Sequence, residues 1–268
     1  MFEKRSKSLV PGGGGRDKKK QVDKDIPLII WLNGGPGCSS SLGLLTENGP
    51  CSVNEDGETT KVNPYSWTES AHVLWLDQPA HVGYSYGEAN DYNTEMISED
   101  VYYFLQVFFK SDEGKKYEES PLFIVGESYA GHYAPAIAHR HRIWMGNKDV
   151  KEGLVKLNLA GVSVGNGLTD PEEQYQHYAE MAYNNYHKIK AVPEYVYTWM
   201  KRIMPQCKLD IAKCNSDVGS EANDVCEHAH GGYCHYFVQW YSQHSTRSMY
   251  DMRKSSSELL ISLIWRNS

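Results

Sequence analysis

The chain has 268 residues, enough for one large α/β domain or two small ones, and 40% of them are hydrophobic, enough for a real core. Its 27 Lys and Arg stand against 34 Asp and Glu, a net charge of −7 that leaves no basic footprint for nucleic acid or an anionic membrane surface. No stretch approaches the ~20 apolar residues of a membrane span, and MFEKRSKSLVPGGGGRDKKK lacks the apolar middle of a secretory signal, so no signal peptide is expected in this chain.

Residues 11–25, PGGGGRDKKKQVDKD, combine a glycine run with dense charge, so residues 1–25 are expected to be irregular and linker-like. Four short apolar runs follow: IPLIIWLN at 26–33, HVLWLDQ at 72–78, LFIVGES at 122–128 and LNLAGVSVGNG at 157–167. Rich in β-branched or aromatic residues and closed by Gly, Pro or Asn, each predicts a buried strand. Between the second and third, TEMISEDVYYFLQVFFK carries apolar residues at 97, 101, 104, 105 and 108, the spacing of an amphipathic helix. Strand, crossover and strand again predict an α/β core over 26–170: a parallel-rich sheet with helices on its faces.

From Pro171 the pattern changes. Residues 171–245 are rich in Tyr, His and Cys and hold no comparable strand run, which predicts a mostly helical insertion placed over the sheet as a cap. Cys207, Cys214, Cys226 and Cys234 cluster there without the C-x-x-C spacing of a zinc site, so two disulfides are expected, with their pairing open. Disulfides imply an oxidising compartment, to which this N-terminus offers no route. The tail, 246–268, ends in SSSELLISLIWRNS and reads either as a terminal helix or as sequence foreign to the protein. There is no internal repeat.

Ser128 sits in VGESYAGHY, directly after the apolar LFIV. Gly126, Ala130 and Gly131 supply the small residues that a sharp strand-to-helix turn demands, so the stretch fits a nucleophile elbow of G-x-S-x-A type; a helix N-cap is the plainer alternative. WLNGGPGCSS at 31–40 closes another strand. It lacks the Lys of a phosphate loop, and Pro36 removes an amide. Gly34 and Gly35 instead allow close backbone approach, and the Gly35 amide with that of Tyr129 could form an oxyanion hole.

Together, WLNGGPGCSS, LWLDQPAHVGYSYG, FIVGESYAGHYAPAIAHR and VSVGNGLTDP resemble the serine carboxypeptidases. These are α/β-hydrolase enzymes that remove C-terminal residues from peptides, usually in an acidic compartment. The resemblance is good over 26–185 and loose over the cap; SMYDMRK at 248–254 matches again, and nothing beyond Lys254 does. It implies an α/β-hydrolase fold with a helical, Cys-containing cap, here with an incomplete sheet. It assigns Ser128 as nucleophile, the Gly35 and Tyr129 amides as oxyanion hole, and Asn33, Glu47 and Glu127 as the site for the substrate's terminal carboxylate, buttressed by Trp31. Two carboxyls facing a carboxylate cannot all be ionised, so they must hold protons, and binding should weaken as pH rises. Peptide or protein C-termini are the implied partners, and no cofactor or metal is implied. The secretory pathway, vacuole, lysosome or extracellular space is the implied location of the full-length parent.

Three features depart from the pattern. His81 stands where the family has glycine, and either disturbs its turn or points to solvent. His132 lies one helical turn beyond the serine, where a packed ring is the plainer reading than a base. The family's GDxD-like and GHxxP-like turns, which carry the triad Asp and His, are not present in this chain. Truncation is the expected cause, leaving this chain inactive or nearly so. An in-chain substitute would have to combine Asp170 with His177, His228, His230 or His235, although Asp170 reads more simply as a helix cap. The other readings of the whole are an acyltransferase relative on the same elbow, a peptide-carboxylate-binding protein without catalysis, and a product with no role.

Overall fold

The computed structural model describes residues 2–3, 23–88, 91, 93–146, 153–216 and 220–256. The glycine- and lysine-rich stretch of the N-terminal segment and the ELLISLIWRNS tail lie outside them. The chain divides into two compact units, Met1–Thr169 and Asp170–Ser268.

The first unit is built on a five-stranded sheet of order β1-β5-β2-β6-β7, with β1 at Phe2–Glu3, β2 at Leu28–Leu32, β5 at His72–Trp75, β6 at Leu122–Glu127 and β7 at Leu159–Gly165. The four apolar runs form its four parallel strands; only β1, a departure from the irregular segment expected there, pairs antiparallel, against β5. A small hairpin, β3 (Cys51–Val53) with β4 (Thr60–Val62), stands apart. Its polar, largely exposed residues give no alternation to read, which is why the sequence does not reveal it.

Helix α1 runs Thr94–Lys110, as the periodicity predicts, and Asn93 caps it by accepting from the Met96 amide. Its apolar face differs from the expected one: Tyr102 and Phe109 are buried as well, while Phe104 is exposed. Helix α2, Ala130–Gly146, follows the elbow directly. Strand residues alternate between two cores, as period-two geometry requires. Leu28, Ile30, Leu32, Leu122 and Ile124 pack with Val101, Leu105, Tyr133 and Ile137 of α1 and α2, whereas Trp31, Val73, Trp75 and Val125 line the opposite face with Leu44. Burial on both faces explains why these strands read as continuous apolar runs.

The second unit is helical, with α3 (Pro171–Gln174), α4 (Tyr178–Tyr183), α5 (Glu194–Ser216), α6 (Ser220–Gly231) and α7 (His235–His244). Val196, Met200, Ile203, Cys207 and Ile211 form one stripe of α5 and pack with Ala179, Ala182 and Phe237. Two disulfides tie the unit together, Cys207–Cys234 and Cys214–Cys226, leaving Cys38 and Cys51 as free thiols.

Strand β7 is one edge of the sheet among the described residues, and its Val162 is 42% exposed. An apolar edge strand is a template for pairing between copies. Val162→Lys is therefore expected to slow concentration-dependent aggregation of the 268-residue chain, measured by light scattering; an unchanged rate would locate the aggregating surface elsewhere.

Candidate active site

Two strand ends build the site. Strands β2 and β6 pair in parallel with Leu32 opposite Gly126, so the next residues, Asn33 and Glu127, emerge side by side although 94 positions apart. Asn33 is buried and its amide is fully engaged. Its Oδ1 accepts from Trp31 Nε1 (2.8 Å) and the Gly43 amide (3.0 Å), which turns Nδ2 toward Glu127 Oε1 (2.9 Å) and Glu47 Oε1 (3.2 Å). Glu47 ends a short π-helical turn, Gly43–Glu47. Trp31 is buried and meets Trp67 edge-on at 5.2 Å. The four residues expected to share a carboxylate site thus form one hydrogen-bonded cluster. Gly43 was not singled out by the sequence, yet any side chain there would collide with Trp31.

Electrostatics in this cluster favour a proton. Partial burial of the Glu47 carboxyl and the neighbouring Glu127 charge push its pKa up from 4.5 to about 7, against the opposing pull of the Asn33 amide.

Ser128 is exposed at the end of β6 with φ 58°, in the left-handed region that costs a non-glycine residue on the order of 1 kcal/mol. Backbone hydrogen bonds offset that strain: Ser128 N donates to Gly165 O (3.1 Å), and Ser128 O accepts from Gly131 N (3.0 Å) and Leu168 N (2.9 Å), each worth about 1 kcal/mol. The small residues are steric necessities. A β-carbon on Gly126 would lie 2.5 Å from that of Ala130, and one on Gly131 would lie 2.6 Å from Leu168 O. Gly34 abuts the turn from the other side, where a β-carbon would collide with the Tyr129 nitrogen and lie 2.8 Å from Ser128 Cβ. That approach brings the Gly34–Gly35 backbone against Ser128–Tyr129.

His132 stacks on the Tyr129 ring (4.6 Å between centroids, 9° between planes), the packed ring of the plainer reading. Among the described residues no histidine or carboxylate hydrogen-bonds to Ser128 Oγ. Asp170 caps α3 by accepting from Glu173 N (3.3 Å), while His177, His228, His230 and His235 belong to the second unit. His81 resolves toward solvent: it is exposed, and its backbone adopts φ 69° where glycine would be unstrained.

The chain as a whole has counterparts among known proteins. A profile described as serine carboxypeptidase matches residues 17–263. The chain belongs to the serine carboxypeptidase family. The match runs past Lys254, so the resemblance extends further than the motifs, contrary to the expectation that it stops there. "Carboxypeptidase Y homolog A" of Uncinocarpus reesii is 38% identical over 235 residues, covering 86% of this chain and 40% of that protein. "Serine carboxypeptidase-like 48" of Arabidopsis thaliana is 36% identical over 240 residues, covering 88% and 44%. The crystal structure of Kex1(Δ)p, a prohormone-processing carboxypeptidase from Saccharomyces cerevisiae, superposes with a TM-score of 0.60 at 28% identity, over 78% of this chain and 45% of that one. The chain thus spans less than half the length of these proteins.

The raised pKa of Glu47 has a thermodynamic signature. A carboxyl that is easier to protonate when folded contributes stability that is complete below its unfolded value of 4.5 and is lost as pH rises through about 7. Denaturation of wild type and Glu47→Gln across pH 4.5–8 should show wild type losing stability relative to the variant over that interval; a constant difference would mean that Glu47 titrates normally.

Proposed function

We propose that the protein is a serine-type carboxypeptidase, releasing C-terminal residues from peptides or proteins through an acyl-enzyme on Ser128. The observation that carries this reading is the Asn33–Glu47–Glu127 cluster, placed one residue before both Gly34 and Ser128. A peptide whose terminal carboxylate is held there presents its last peptide bond to the elbow. Ser128 Oγ would attack that carbonyl, the Gly35 and Tyr129 amides would receive the oxyanion, and the leaving amine would depart with the bound terminal residue. In the free protein both Nδ2 hydrogens of Asn33 are taken by glutamates, so an arriving carboxylate must displace one of them and accept a hydrogen bond from protonated Glu47. Binding then weakens as pH rises through about 7, where Glu47 ionises and repels it.

The reaction also needs a general base to take the Ser128 proton. No Asp turn and His turn of the family's kind occur in residues 1–268, and loss of such a base lowers kcat by on the order of a millionfold. Our reading is that these residues carry the nucleophile and the carboxylate pocket, and that the triad Asp and His come from sequence outside them. The disulfides of the helical unit favour an oxidising, secretory-type compartment.

Two assays test this. The 268-residue chain should not release the terminal residue of a blocked dipeptide above background; robust turnover abolished by Ser128→Ala would refute the division of the triad. Binding of the same dipeptide should survive Ser128→Ala and weaken by about tenfold or more in Asn33→Ala or Glu127→Ala, the worth of one charge-assisted hydrogen bond. Equal affinity in all variants would refute the carboxylate pocket.

A further inference from the structure

Asp77, just beyond β5, has no role in the chemistry above, yet it organises the loop on which that chemistry depends. Its Oδ1 accepts from Ser39 Oγ (2.6 Å) and the Ser40 amide (2.8 Å), and its Oδ2 accepts from the Tyr84 amide (2.9 Å). Its carbonyl accepts from Ser85 Oγ (2.7 Å). Ser40, 1% exposed, passes the constraint on: its Oγ donates to Leu76 O (2.6 Å) and accepts the Asn33 amide N–H (3.1 Å). Gly83, at φ 54°, lies against the same carboxylate, and a side chain there would collide with it.

One carboxylate therefore joins the 34–40 loop, the 79–87 turn and, through Ser40, the main chain of Asn33. The donors divide between its two oxygens, so each oxygen can be tested separately. Hydrogen bonds to a carboxylate are among the stronger ones in a protein, enough to fix a loop whose glycines otherwise leave it loose. We propose that Asp77 is a positioning residue for the carboxylate pocket and the oxyanion loop: it sets Asn33 and Gly35 at their spacing from Glu127 and Ser128. It acts through Ser39 and Ser40, not on the reacting atoms. The proposal rests on the reading that Asn33, Glu47 and Glu127 receive a peptide's terminal carboxylate.

The test is the preference for benzyloxycarbonyl-Phe-Leu over its C-terminal amide, measured as a ratio of Kd values for the 268-residue chain. General loosening weakens both ligands together, whereas misplacement of Asn33 removes the preference. We expect the preference to fall about tenfold in Asp77→Ala. Asp77→Asn keeps one acceptor oxygen for Ser39 and Ser40 and should hold the preference within about threefold. Amide exchange should then quicken over 82–86 in both variants but over 38–41 in Asp77→Ala alone. Ser39→Ala, which removes one donor and spares the carboxylate, should lower the preference in part and serves if Asp77→Ala does not fold. An unchanged preference in folded Asp77→Ala or Ser39→Ala, or an equal loss in Asp77→Asn and Asp77→Ala, overturns the proposal. Wild-type protein that binds acid and amide equally removes the carboxylate-pocket reading, and this inference with it.

Discussion

Two carboxyl groups converge on one amide nitrogen, and the rest of the site is arranged around that contact. Asn33 can offer its Nδ2 to Glu47 and Glu127 only because Trp31 and the Gly43 amide claim its oxygen. The sheet supplies the first placement, since parallel pairing of β2 and β6 brings Asn33 beside Glu127. A shared amide between like charges costs free energy unless one carboxyl keeps its proton, and Glu47 does so up to about 7. On the proposed reading, burial and the neighbouring Glu127 charge together keep the cluster primed for an anion at acidic pH.

The elbow obeys a different constraint, which is space. Ser128 tolerates a left-handed backbone because three backbone hydrogen bonds pin it. Gly34, Gly126 and Gly131 remove the β-carbons that would separate strand, turn and helix. These glycines bring Ser128 against the backbone of a loop distant from it in sequence. The carboxylate pocket and the elbow then share residues 33–34 and 127–128, so a shift in one displaces the other.

Much of this architecture is legible in the amino-acid sequence. The parallel strands announce themselves as short apolar runs, β2, β5 and β6 because they are buried on both faces, and α1 because its apolar residues keep a helical period. The elbow is legible from Gly126, Ala130 and Gly131, since only small residues satisfy that geometry. The polar β3–β4 hairpin is not, because nothing in it alternates. The α5 stripe is obscured by the Tyr, Trp and Lys around it, and the pairing of four clustered cysteines has no local signature. Phe104 and Phe109 exchange places because a period of 3.6 does not decide which of two flanking positions is buried. Asp77 is missed for a different reason: its partners lie in two loops, at 39–40 and 84–85, that no spacing rule connects.

The most direct test is a carbon-13 titration of the Glu47 side-chain carboxyl, in wild type and in Glu127→Gln. The account predicts that Glu47 stays protonated well above the usual glutamate range, titrating near the value of about 7, and moves toward 4.5 when the Glu127 charge is removed. An ordinary midpoint in wild type, or one indifferent to Glu127→Gln, would contradict the claim that the pair is built to receive a carboxylate.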